Sequence, residues 1–138
     1  MKDRKKEEIL KSAVMVFGSK GFHRTRVSDI AETAGVAKGT VYEYFANKEA
    51  LFVEASSYAF DKLMEETTSK MGRYRNPVEG LEKLLRSHAR AIKNYPPQYI
   101  KVYTEIWQYA LWSDSEQVLD VLIRTFAVSY THLTLPTN

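Results

Sequence analysis

The feature that most constrains the fold is a pair of short helical segments, residues 26–34 and 37–45, with a glycine between them at position 35. Gly35 can adopt the positive φ that a tight turn between two helices needs, because it has no Cβ. Ala31 is small where the two helices must approach closely, and Val41 is apolar where the second helix must pack on the first. The pattern therefore predicts a helix-turn-helix.

The rest of the chain up to residue 127 also has helical periodicity. Apolar residues recur at 3.6-residue spacing in "EEILKSAVMVF", with Ile9, Ala13, Val16 and Phe17 on one face and glycines after it. Further helices are predicted from Lys48, capped by Asn47, to about Met71, from Pro77 to the "NYPP" segment, through Tyr99–Ala110, and from about Glu116.

Two of these later helices have clear start signals. Asn76 is a cap residue, Pro77 suits the first helical position, and Glu79 is an acid three residues after the cap. Ser113 and Glu116 form a similar capping box for the last helix. The helix that begins at Pro77 holds Leu81, Leu84, Leu85, His88, Ala91 and Ile92.

Charge is concentrated at one end of the chain. The formal net charge is +3, but residues 1–48 hold ten Lys or Arg against six Asp or Glu. A basic N-terminal third beside a near-neutral remainder favours a polyanion-binding face, although a solvated surface gives the same count.

The sequence lacks the residues that several classes of function usually require. The chain has no cysteine, three scattered histidines and no glycine-rich phosphate loop, so we expect no enzyme, metal or cofactor. No apolar run approaches the roughly 18 residues that span a bilayer, so we expect no membrane partner.

The second short helix carries many groups suited to DNA, where such a helix lies in the major groove. The positive charge of Lys38 is unfavourable at the N-terminal end of the helix dipole, and a nearby phosphate would offset this cost. Gly39 weakens the helix but lets the backbone approach base edges. Thr40 offers a hydroxyl and a methyl, while Tyr42 and Tyr44 offer phenol groups to phosphate and ring surface to sugars. Partial burial against the long helix is the alternative for Tyr42.

The stretch "FGSKGFHRTRVSDIAETAGVAKGTVYEYFANKEALF" resembles the DNA-binding domain of the tetracycline-repressor (TetR) family, over roughly residues 8–55. The resemblance implies an all-helical bacterial, cytoplasmic, nucleoid-associated transcription regulator, usually a repressor. Such regulators act as homodimers on palindromic double-stranded DNA operators and are typically released by a small-molecule effector. The family's DNA contacts carry over onto Lys38, Gly39, Thr40, Tyr42, Tyr44 and Lys48. For Lys48 a solvated side chain is the alternative.

Three positions depart from the family pattern. Ala37 stands where the family often has a capping serine, a loss of roughly 1 kcal/mol. Arg26 replaces a phosphate-contacting Thr or Ser and can still reach phosphate, so it joins the DNA-binding set. Glu43 either accepts a hydrogen bond from a cytosine amino group or lies at the rim.

The predicted fold class is all-α, with a three-helix, homeodomain-like helix-turn-helix domain over residues 1–48. Residues 49–127 are predicted to be an incomplete helical ligand-binding and dimerisation domain, cut before the two final helices that pair across the family's dimers. Residues 128–138, "VSYTHLTLPTN", are Thr-rich and lose the helical periodicity. They resemble a translated transposase adapter, so we expect a non-native tail, with an ordinary disordered terminus as the alternative.

Aromatic side chains at four-residue steps suggest an effector pocket in the second domain. Tyr99, Tyr103 and Trp107 could line it, with His88 as the polar contact. A stripe of this kind is more often part of the core, and His88 alone is more often a core or partly exposed histidine.

Two other functions stay open at this point. One is a helix-turn-helix DNA binder without ligand sensing, such as an architectural or recombinase-type protein. The other is a non-functional truncated fragment whose DNA-binding part folds and whose regulatory part does not.

Overall fold

The computed structural model describes the backbone of residues 2–134. It describes their side chains except at residues 2, 3, 125, 126 and 128–134. The described residues form an all-α fold, as predicted. None of its helices is long and apolar enough to cross a membrane. The seven helices are α1 (Lys2–Lys20), α2 (Val27–Ala34), α3 (Lys38–Tyr44), α4 (Lys48–Ser69), α5 (Pro77–Asn94), α6 (Pro97–Trp112) and α7 (Glu116–Thr134).

The core of the N-terminal part is built on the apolar face of α1. Ile9 and Phe17 are fully buried, which confirms the helical periodicity found in "EEILKSAVMVF". The ring of Phe52 from α4 lies 5.0 Å from that of Phe17 and 4.8 Å from that of Phe22, centroid to centroid. Tilted aromatic packing of this kind fixes the α1–α2 loop on α4.

Helix α6 joins the two predicted domains by packing on both α1 and α4. Val102 and Ile106 of α6 are fully buried in the same core as Phe17. Gly18 lies so close to α6 that an added Cβ would come within 2.7 Å of the backbone of Gln98. The core is therefore continuous across residue 48, and the helix-turn-helix part rests directly on the C-terminal helices.

The helix starts follow the predicted signals with one correction. Asn47 and Asn76 cap α4 and α5, each accepting a backbone N–H hydrogen bond through its side chain. The predicted capping role of Ser113 is wrong, because the hydroxyl of Ser115 accepts from Val118 N at 3.4 Å instead. Ser113 ends α6, and its N–H donates to the carbonyl of Tyr109.

The apolar residues of α5 are only partly buried. Ala91 is buried, but Leu81 and Leu85 are 57% and 61% exposed, and Ile92 is exposed too. Helix α5 meets α4 through a neighbouring stripe of small residues, where Ser87 donates a hydrogen bond to a carbonyl of α4. Periodicity shows that a helix has an apolar face, but close approach through small residues decided which face packs.

The last helix, α7, includes residues that the sequence pattern assigned to a non-native tail. Residues 128–134 lie in α7. The remaining residues of the expected tail, 135–138, lie outside the described residues.

Candidate nucleic-acid interface

The turn between α2 and α3 has the geometry that the sequence predicts. Gly35 has φ 70°, in the left-handed region, and its N–H donates to the carbonyl of Glu32. The N–H of Val36 donates to the carbonyl of Ala31, which is buried where the helices meet. These bonds satisfy the carbonyls at the end of α2 and set the direction in which α3 leaves the turn.

Helix α3 has one anchored face and one open face. Val41 and Phe45 are 1% and 2% exposed and fix the helix to the core. Lys38, Gly39 and Tyr42 are all exposed, and the ammonium of Lys38 lies 6.0 Å from the ring centre of Tyr42. The open face thus presents a cation and a phenol from neighbouring turns of one short helix.

Gly39 has no packing role within the described part of the chain. A Cβ added there would meet no atom within 4 Å beyond its chain neighbours and the backbone of its own helix, and its φ is not in the left-handed region. A glycine weakens a helix by about 1 kcal/mol relative to alanine. This cost has no compensation inside the protein, which points to a requirement for close approach by an external molecule.

Two other predicted contact residues are less accessible. Thr40 and Tyr44 are half-buried, and Tyr44 packs against the core beside Phe45, with ring centres 6.4 Å apart. Ala37 is the N-cap of α3 and makes no side-chain capping bond, as the sequence predicts.

Arg26 lies at the N-cap of α2 with its side chain exposed. Its N–H donates to Asp29 Oδ2 at 2.9 Å, and the ammonium of Lys20 lies 3.4 Å from the same carboxylate. The backbone hydrogen bond from Arg26, followed by the charge of Lys20, lowers the pKa of Asp29. Asp29 thereby fixes the start of α2 and leaves the guanidinium of Arg26 free to turn outward.

Lys48 has a structural role that the sequence did not reveal. Its Nζ donates to the carbonyls of Phe22 at 2.9 Å and Thr25 at 3.2 Å, and it lies 4.3 Å from the ring centre of Phe22. An ammonium group has three donors, so one is left for a phosphate. Lys48 therefore ties the α1–α2 loop to the start of α4.

The same loop is held from the opposite side by Glu105 of α6. The carboxylate Oε1 accepts from the N–H of Phe22 at 2.6 Å, although the two residues are 83 positions apart. Phe22 thus uses its N–H toward α6 and its carbonyl toward Lys48. No sequence pattern could have identified this link, because the pairing depends on how α6 crosses α1.

The predicted effector residues lie on two helices, with His88 on α5 and the three aromatic residues on α6. Tyr103 stacks on Phe60 at 5.0 Å and contacts Trp107 edge-on at 6.4 Å, whereas Tyr99 is buried in the core.

His88 lies on the α4 side of α5, with Nδ1 3.1 Å from the hydroxyl of Thr67. That hydroxyl donates to Leu63, so the imidazole nitrogen is the donor.

Two surface clefts of about 340 Å³ and 360 Å³ are lined by other residues. Among the described residues no group of three His, Asp or Glu could hold a metal ion.

Comparison with known proteins places residues 9–55 in a known class. This segment matches the family of bacterial regulatory proteins described as the tetR family. The matched segment includes most of α1, the whole helix-turn-helix and the first part of α4.

Three relatives extend the likeness beyond the matched segment. The transcriptional repressor KstR2 of Mycobacterium tuberculosis is 31% identical over 93 residues, which are 67% of this chain and 46% of KstR2. The crystal structure of a TetR family regulator from Marinobacter aquaeolei VT8 has a TM-score of 0.77 at 23% identity, covering 95% of this chain and 65% of that one. The regulator FadR of Bacillus subtilis, solved with stearoyl-CoA, has a TM-score of 0.66 at 23% identity, covering 92% and 65%.

These figures also show that the relatives are longer. The chain spans less than half the length of the curated relatives that it matches, with 19%, 34% and 46% covered in three of them. At 23% identity the two crystal structures show a shared fold.

Proposed function

Because the chain belongs to the tetR family of bacterial regulatory proteins, we propose that it is a sequence-specific DNA-binding transcriptional regulator, a ligand-responsive repressor. In this proposal α3 lies in the major groove of a palindromic operator, and two copies of the protein bind the two half-sites. The observation that carries the proposal is the open face of α3, where Lys38, Gly39 and Tyr42 are exposed around a firmly anchored helix.

The roles of the contact residues follow from their positions. Lys38 pairs with a phosphate, which the excess of positive charge in residues 1–48 supports. Gly39 allows the backbone to approach a base edge, and Tyr42 reaches the sugar-phosphate backbone. Arg26 contacts phosphate at the start of α2, and the third donor of Lys48 does so at the start of α4.

Two of the proposed contact residues are less exposed to solvent, so fewer of their atoms can reach DNA. Thr40 and Tyr44 are half-buried, so each offers only its hydroxyl edge to DNA.

Ligand response is part of the proposal because FadR of Bacillus subtilis is solved in complex with stearoyl-CoA. In this chain, the stack of Tyr103 on Phe60 and the neighbouring Trp107 are a half-buried aromatic wall that suits an apolar effector. Tyr99 is buried in the core, and the imidazole of His88 pairs with the hydroxyl of Thr67 on α4.

The test is a salt titration of DNA binding. Fluorescence anisotropy would measure the Kd for DNA selected from a random-sequence pool, at several salt concentrations, for the chain and its Lys38→Ala variant. The variant should bind more weakly, with a salt slope smaller by about 1, since one phosphate contact is lost.

The matched control is Lys101→Ala, which removes an exposed lysine of α6 far from α3 in the sequence. It should leave the slope unchanged. An equal slope for the chain and Lys38→Ala would remove Lys38 from the interface, and no preference for the selected DNA over random DNA would overturn the proposed function.

A further inference from the structure

A cleft of about 340 Å³ lies where the end of α6 meets the α1–α2 loop. Its volume falls at the lower end of the range for small-molecule sites, which suits a compound of one or two rings. The cleft lies outside the aromatic wall of Tyr103 and Trp107, and it is lined by Phe22, His23, Glu105, Gln108, Tyr109, Trp112 and Ser113.

The walls of the cleft are formed by aromatic side chains, and one of these side chains is exposed to solvent. The ring centres of Phe22 and Tyr109 lie 4.9 Å apart, so these two side chains form a fixed surface. Trp112 is 88% exposed at the end of α6, which leaves its indole free to cover a bound molecule. The faces of aromatic rings attract cations, and tryptophan does so most strongly.

Glu105 gives the cleft its charge. It is the carboxylate among the lining residues, and within the described residues no salt bridge to it occurs. One carboxylate oxygen accepts from the N–H of Phe22, which fixes the side chain at the cleft and leaves the second oxygen for a ligand. A carboxylate beside aromatic faces favours a cation over a neutral or anionic compound.

Ser113 supplies a polar atom that lacks a partner. Its Oγ is buried and makes no hydrogen bond within the described part of the chain. A buried hydroxyl without a partner is unfavourable by about 1–3 kcal/mol, so such atoms are uncommon. A donor group of a bound ligand would satisfy this oxygen.

We propose that this cleft binds a small aromatic ammonium compound. The ammonium group donates to Glu105 and to Ser113, while the ring lies between Trp112 and Tyr109. The site is separate from the helix-turn-helix surface, and its occupancy can be measured without DNA.

The test uses three probes of similar shape and different charge: benzylammonium, benzyl alcohol and benzoate at pH 7.5. Each is titrated into the ¹⁵N-labelled chain while the indole N–H signals of its two tryptophans are followed. The signals are assigned with the Trp112→Phe variant. The Trp112 signal should shift more than that of Trp107, and benzylammonium should bind about five- to thirtyfold more tightly than benzyl alcohol.

Two variants examine the polar groups. Glu105→Gln keeps an acceptor for the N–H of Phe22 and removes the charge, so the preference for benzylammonium should disappear. The matched control, Glu65→Gln, changes an exposed glutamate of α4 outside the cleft and should keep the preference.

Ser113→Ala should weaken benzylammonium binding about fivefold without lowering the melting temperature of the free protein, because it removes an unsatisfied hydroxyl. The proposal is overturned if benzoate or benzyl alcohol binds as tightly as benzylammonium. It is equally overturned if the Trp112 signal does not move, or if Glu105→Gln retains the preference.

Discussion

The Gly39→Ala substitution should have opposite effects on the stability of the protein and on its affinity for DNA. The added methyl would meet no atom within 4 Å beyond its chain neighbours and the backbone of its own helix, so it introduces no clash in the free protein. Replacing a helical glycine by alanine near the start of α3 should raise the free energy of unfolding by about 0.5–1 kcal/mol. For a chain of this size the melting temperature should rise by about 1–4 °C.

The same methyl should weaken DNA binding. In the proposed complex the backbone at Gly39 lies against a base edge, where an extra carbon forces the helix outward. An overpacked contact of this kind costs about 1.4 kcal/mol, equivalent to a tenfold higher Kd.

The measurements are thermal unfolding followed by circular dichroism and DNA binding followed by anisotropy. A stabilised variant with weakened DNA binding is the expected pair of results. Gly35→Ala is the control, since its φ of 70° should make alanine destabilising by about 1–2 kcal/mol. A lower melting temperature for Gly39→Ala, or unchanged DNA binding, would refute the reasoning.

Three further changes test how the helix-turn-helix part is held. Gly18→Ala should lower the free energy of unfolding by about 1–3 kcal/mol, because its Cβ would clash with the backbone of α6; an unchanged urea midpoint would contradict this. Lys48→Met keeps the apolar stem but loses two hydrogen bonds to loop carbonyls, so stability should fall by about 1–2 kcal/mol; equal stability would exclude the structural role. Asp29→Asn should destabilise the protein at pH 7. The pKa of Asp29 is lowered in the folded state, so its contribution is complete above the ordinary value of 3.8 and is lost as the pH falls through the lowered one. Urea titrations of the chain and this variant should therefore converge as the pH falls through the lowered pKa of Asp29, and a constant difference would count against the hydrogen bond from Arg26.

Local signals in the sequence were sufficient for much of the fold. Asn47 and Asn76 cap their helices as predicted, because a cap depends on residues within one turn of it. Ser113 failed as a cap since a second serine two positions later reached the helix amide instead. Competition between neighbouring polar side chains is decided by backbone geometry, which composition does not encode.

The sequence by itself determined the helices, the turn at Gly35 and the exposure of Lys38, Gly39 and Tyr42 on α3, because each depends on periodicity or on the conformational freedom of one residue. Only the tertiary structure decided which face of α5 packs, that Lys48 holds the α1–α2 loop, and that Glu105 reaches the same loop from α6. These contacts join residues that are 20 to 83 positions apart. They depend on the angles at which whole helices cross, and those angles are set by the packing of all side chains together.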